Sequence, residues 1–182
     1  MLVELPLSLR SLKEFPEIDE VEETGTTFSE NAALKARSYA EQTRLWTLSD
    51  DSGLEVYALG GAPGVYSARY GGADLSYDER IKRLLDELSQ TGSDDRRARF
   101  VCVIAIANAQ GEIINLSTGT CEGTIARAPR GTNGFGYDPI FVPDDYEQTF
   151  GELLAEIKEK ISHRAIALEA ARSFLQNQFS LT

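Results

Sequence analysis

Asp50-Asp51-Ser52-Gly53 places two carboxylates directly after the apolar run Leu45-Trp46-Thr47-Leu48. Carboxylates at the carboxyl end of a strand, followed by a glycine turn, suit a hard cation such as Mg²⁺, which takes oxygen ligands. An ordinary acidic turn has the same composition, because Asp and Gly are turn residues in their own right. Glu22-Glu23-Thr24-Gly25 would supply a further carboxylate, or is a solvated acidic loop. The segment Gly131-Thr-Asn-Gly-Phe-Gly-Tyr-Asp-Pro139 is neither a Walker loop nor a GxGxxG turn. Its small residues let a ligand approach the backbone, an aromatic there can stack on a base for ~1–3 kcal/mol, and Asp138 can accept from a ring N–H. The alternative is a surface loop whose aromatics are tucked into the core. Lys158, Ser162, His163 and Arg164 form a fourth group. Ser162 is a good N-cap, which puts His163 and Arg164 in the first turn of the last helix, where a cation opposes the helix dipole by ~0.3–1 kcal/mol. A docked phosphate or base carbonyl accounts for that charge. So does a carboxylate paired with Arg164, with His163 a satisfied structural residue.

These side chains need elements to hold them. Thr27-Phe28-Ser29-Glu30 fits a capping box, and Phe28, Ala32, Ala36 and Tyr39 then recur at helical spacing. Lys35 falls on that same inward face, where a buried ammonium needs an anion. Ser76-Tyr77-Asp78-Glu79 is a second capping box, opening a helix with Ile81, Leu84, Leu85 and Leu88 on one side. Phe100 to Ala107 is a buried strand, turned by Gln110-Gly111 into a strand over 112–118, with a further strand over 119–126. Arg96-Arg97-Ala98-Arg99 precedes the first of these as a solvated edge. Ile140-Phe141-Val142 is a short strand, and helices near 149–159 and 163–178 close the chain. Helices and strands interleave around a hairpin, so the expected class is α/β, a mixed twisted sheet flanked by helices.

The chain has 182 residues, which fits one domain spanning 1–182. No apolar run approaches the ~20 residues of a membrane span, and no signal stretch leads the sequence, so the expectation is a soluble, untargeted chain with no membrane partner. A net charge of −11 argues against a protein that coats nucleic acid. It does not exclude a nucleotide enzyme, since a few local cations and a divalent metal hold a phosphate within an acidic protein. Two cysteines without CxxC spacing and a single histidine argue against a zinc site and for a reducing compartment, the cytoplasm.

Taken in order, these segments resemble the inosine triphosphate pyrophosphatase family, which removes deaminated purine nucleoside triphosphates. The matching stretches are Glu22–Ala32, Asp50–Leu54, Gly60–Tyr70, Gly134–Pro139 and Ile161–Arg164. Each alone is weak; together and in sequence they are specific. The resemblance implies two lobes around a nucleotide cleft, a homodimer, and Mg²⁺-dependent hydrolysis of ITP, XTP and dITP to the monophosphate and pyrophosphate. Carried over by position, Glu22 and Asp51 would be metal ligands, with Asp51 also the base that activates water. Ser52 would touch the substrate, and Phe135, Gly136, Tyr137 and Asp138 would form part of the base pocket. Lys35, Lys158, His163 and Arg164 would complete the nucleotide contacts.

One part of the family pattern is missing. Family members open with a strand, a Ser/Thr-x-Asn-x-x-Lys phosphate loop and a helix, a unit on the order of 20 residues. Here Phe15–Gly25 already matches the run into the acidic motif, and Ser8–Lys13 imitates the loop with Arg10 in place of its asparagine. The expectation is that the loop lysine and its strand are absent. That leaves two alternatives, a natural start upstream of Met1 or a nucleotide-binding homolog with weak or no catalysis.

Overall fold

The computed structural model describes residues 5–179. Helix α1, Phe28–Thr43, starts where the local chemistry dictates. The Thr27 hydroxyl accepts from the Glu30 N–H (3.1 Å), and the Glu30 carboxylate accepts from the Thr27 N–H (3.1 Å). Phe28, Ala32, Ala36 and Ala40 are its buried stripe. The helix stops at Arg44, whose left-handed backbone (φ 58°) lets its N–H reach the Ala40 carbonyl. Helix α2, Tyr77–Gln90, opens with the same device from Ser76 and Glu79 and buries Ile81, Leu84 and Leu88.

The strands are β1 (Thr47–Val56), β2 (Arg97–Ala107), β3 (Ile113–Ile125) and β4 (Phe141–Pro143), in sheet order β1-β2-β3-β4. A turn at Asn108–Gly111 closes the β2–β3 hairpin, with the Asn108 N–H donating to the Glu112 carbonyl at 3.0 Å. Strand β4 runs antiparallel to β3, Ile125 opposite Phe141. Across β1 and β2, Glu55 pairs with Arg99 while Asp50 meets Cys102, an antiparallel register. The α/β class holds, and the four described strands form an open antiparallel sheet flanked by helices. The parallel pairing that a mixed sheet would need is not among them.

Four boundaries differ from expectation. The acidic motif lies inside β1 rather than in a turn after it: Asp51 and Gly53 are buried while Asp50 and Ser52 are half-buried. Inward alternation on a paired strand outweighs the turn preference of Asp and Gly. Residues 113–125 are one strand, not two, with polar and buried positions alternating without a break across Gly119. Arg97 and Arg99 belong to β2 rather than preceding it, and Arg99 is tied to Glu55 at 2.7 Å. Helix α3 (Ala155–Ile161) is shorter than expected, and α4 (His163–Phe179) follows it after Ser162.

The chain divides into two compact units. One comprises the chain up to Asp51, Cys102–Gly119 and the chain from Ile166; its core sets Cys102, Ile104 and Ile106 of β2 against Ala167, Ala171 and Leu175 of α4. The other comprises Ser52–Val101 and Thr120–Ala165, with Leu54, Val56, Leu84, Phe100, Phe141 and Phe150 at its centre. No helix of the described residues is long and apolar enough to cross a membrane.

Candidate active site

In the first unit, α1 delivers Lys35 to two carboxylates. Its Nζ donates to Glu23 Oε1 at 2.5 Å and to Asp51 Oδ1 at 3.1 Å. The other Asp51 oxygen accepts from Asn31 Nδ2 at 3.3 Å. Asn31 is fully buried, and its own oxygen takes the Gly25 N–H at 2.7 Å, which fixes the amide's orientation. Burial lifts the Asp51 carboxyl above the ordinary Asp value, outweighing the opposing charge of Lys35. For Lys35, burial alone acts downward, but the hydrogen bond to Glu23 and the charge of Asp51 together turn the net shift upward.

Glu22, the glutamate expected beside Asp51, is exposed, and its neighbour Glu23 stands in the cluster. Burial alternates along Val21–Gly25, so consecutive side chains point opposite ways and the inward glutamate is Glu23. Among the described residues no group of three or more His, Cys, Asp and Glu side chains gathers as a metal cage. Mg²⁺ does not need one: a pair of protein carboxylates suffices when water and substrate phosphates fill the remaining positions. The oxygen-only pair of Asp51 and Glu23 fits that requirement. Glu23→Gln is expected to lower kcat/KM at limiting Mg²⁺ by about tenfold or more, and Glu22→Gln to leave it within twofold, read by Mg²⁺ titration of activity.

In the second unit the glycine-aromatic loop meets α3 and the start of α4. Phe135 keeps 62% of its surface exposed, so it is not a core residue. The Lys158 ammonium lies 4.8 Å and the Arg164 guanidinium 5.7 Å from its ring centre. Arg164 donates to Ser52 Oγ at 3.1 Å, a contact between residues 112 apart. Ser162 caps α4 as expected, its hydroxyl accepting from the Ala165 N–H at 3.2 Å. Asp138 is buried, and one of its oxygens takes both the Phe135 N–H (2.7 Å) and the Lys158 ammonium. That oxygen orders the loop.

The remaining expected contacts sit deeper. Tyr137 is buried, its hydroxyl donating to the Ser67 carbonyl at 3.0 Å, and burial pushes its phenol well above the usual range. His163 is buried with its ring stacked on Phe100, 4.7 Å between centres. Gly136 packs beside Tyr77 of α2. Ser52, Phe135, Asp138, Lys158 and Arg164 therefore come together, with Tyr137 and His163 behind them. Asn31 and Tyr77 are the residues that sequence reasoning missed; the sole signal for Asn31 is an amide three residues after Phe28, on an otherwise apolar face.

A carboxylate pair suited to a hard cation, and an open aromatic ring flanked by cations, are parts that an α/β nucleotide-phosphate enzyme needs. Comparison with known proteins narrows the class. The model of the Ham1 family matches residues 1–174, and the chain belongs to that family. It is 49% identical over 166 residues to a dITP/XTP pyrophosphatase of Bacillus cereus, covering 89% of this chain and 80% of that one. A dITP/XTP pyrophosphatase of Gloeobacter violaceus is 55% identical over 148 residues, covering 81% and 73%. The solved structure of a HAM1 protein from Coxiella burnetii superposes with a TM-score of 0.92 at 44% identity, over 97% of this chain and 89% of that one.

Proposed function

We propose that this chain hydrolyses deaminated purine nucleoside triphosphates, dITP, XTP and ITP, to the monophosphate and pyrophosphate. The observation that carries the reading is 49% identity to a dITP/XTP pyrophosphatase across 89% of the chain. The chemistry of the side chains supports it. Asp51 is the general base: it takes a proton from water as the oxygen adds to phosphorus and the bond between the α- and β-phosphates breaks, pyrophosphate leaving with that bond's electron pair. Asp51 and Glu23 would hold Mg²⁺, and the ion when bound neutralises charge on the phosphoanhydride. Lys35 keeps both carboxylates in place.

Phe135 offers the stacking face for the base. Lys158 and Arg164 carry donors only. They match a purine with a carbonyl oxygen at C6, as in hypoxanthine and xanthine, and leave the amino group of adenine facing like donors. The two buried thiols, Cys102 and Cys121, support a reducing compartment such as the cytoplasm. The homodimer remains part of the proposal on the family likeness.

The test is pyrophosphate release from dITP, XTP and dATP with Mg²⁺. Rapid release from the first two and little from dATP is the expected result. Binding of dITP without release would make the chain a nucleotide-binding homolog, and equal rates with dATP would remove the base assignment. Phe135→Ala should weaken nucleotide binding by ~1–3 kcal/mol through lost stacking. Because Phe135 is 62% exposed, its melting temperature should stay near that of the unaltered chain. A variant that unfolds would return Phe135 to the core.

A further inference from the structure

We infer that Tyr77, steadied by Arg80, is a positioning residue for the loop that carries Phe135; the inference rests on reading Phe135 as the base-stacking face. Apart from the Lys158 and Arg164 cations beside it, the exposed ring has little packed around it, so the backbone on either side does much to decide where it sits. On one side the Phe135 N–H is bonded to Asp138. On the other side are Gly136 and Tyr137, and both abut Tyr77, the first residue of α2. The Tyr77 ring meets Tyr137 edge to face, 5.9 Å between centres at 89°. It lies so close to Gly136 that a Cβ there would stand 3.4 Å from its Cε1. Tyr137 is anchored in turn through its hydroxyl to Ser67.

Arg80 explains why Tyr77 holds still. It sits one turn further along α2, only 5% exposed, with its guanidinium 5.1 Å from the Tyr77 ring centre. Its Nη2 donates to the Gly72 and Ala73 carbonyls at 3.2 and 3.0 Å, while its Nε has no hydrogen-bond partner. A buried cation held by carbonyls and a ring, rather than a carboxylate, costs desolvation free energy. Here it is spent on fixing an aromatic edge against the loop. Neither residue touches the base: each acts through Gly136 and Tyr137 on the direction of Phe135.

The experiment compares Tyr77→Phe, Tyr77→Leu and Arg80→Met with the unaltered chain. Exchange of the Phe135 amide hydrogen reads loop order without any ligand. Calorimetric affinities for inosine monophosphate and for inorganic tripolyphosphate separate the base from the phosphates. Tyr77→Leu should speed exchange at Phe135 while amides in β2 stay protected. It should also weaken inosine monophosphate binding about three- to tenfold, the worth of one edge-to-face aromatic pair. KM for dITP should rise by a like factor with kcat within twofold, and tripolyphosphate affinity should not move. Tyr77→Phe keeps the ring and should match the unaltered chain, while Arg80→Met should shift in the same direction as Tyr77→Leu. Unchanged exchange at Phe135 would overturn the inference. So would a parallel fall in affinity for both ligands, or a Tyr77→Phe variant as impaired as Tyr77→Leu. Faster exchange in a chain that binds no purine nucleotide even when unaltered would leave the positioning intact and defeat the functional reading instead.

Discussion

Asp51→Asn should abolish pyrophosphate release while the chain stays folded. The amide keeps the carboxylate's shape but can neither accept water's proton nor carry charge to a cation, and positioned proton transfer alone is worth ~10²–10⁴-fold. The folded state should tolerate the change for a reason visible in the electrostatics. Burial raises the Asp51 pKa above its unfolded value, so the ionised form costs folding free energy at every pH above that unfolded value. That cost shrinks as pH falls and the group protonates; a neutral amide removes it at all pH. Against this gain, the new NH₂ must face either Lys35 or Asn31, both of which donate to Asp51. Glu23 still neutralises Lys35. The two effects oppose each other, so the melting temperature should stay within about 4 °C of the unaltered chain, the shift that ~1 kcal/mol produces in a domain of this size. Pyrophosphate release and a thermal melt on the same preparation check both halves. Activity above about a tenth of the unaltered chain would take the base role from Asp51.

How much of this was legible beforehand follows from the range of the interactions involved. The capping boxes at Thr27–Glu30 and Ser76–Glu79, and the Ser162 cap, depend on residues three apart, and each stands where the sequence puts it. Lys35 was legible as a buried cation because its helical face is otherwise apolar, but which anions meet it was not. Glu22 and Glu23 are chemically identical, and only the alternation of an extended segment against α1 decides between them. The acidic motif looks like a turn because Asp and Gly favour turns; pairing with β2 makes it strand. Arg164 reaching Ser52 and Tyr77 bracing the Phe135 loop join distant segments, and no local pattern announces them.

Gly134→Ala should strongly impair nucleotide handling. Gly134 has φ +75°, a conformation that costs an L-residue ~1–2 kcal/mol. The added methyl would also collide with the Asp138 carboxylate and stand 3.1 Å from Lys158 Nζ. Asp138 is 2% exposed and cannot swing away, so the methyl displaces the oxygen that holds both the Phe135 N–H and the Lys158 ammonium. Hydrogen bonds to a charged group are worth ~1.5–3 kcal/mol each, so losing that organisation should lower kcat/KM for dITP by about 30-fold or more, mostly through KM. A matched control separates strain from collision. Gly60 lies in the same unit at φ +64°, and a Cβ there meets nothing within 4 Å. Gly60→Ala pays the same backbone cost without the collision, so it should lose only the ~1–2 kcal/mol of that strain while keeping full activity. Steady-state kinetics and melts on both variants make the comparison. If Gly134→Ala loses no more activity than Gly60→Ala, the Asp138 oxygen is not what holds Phe135 and Lys158 in place.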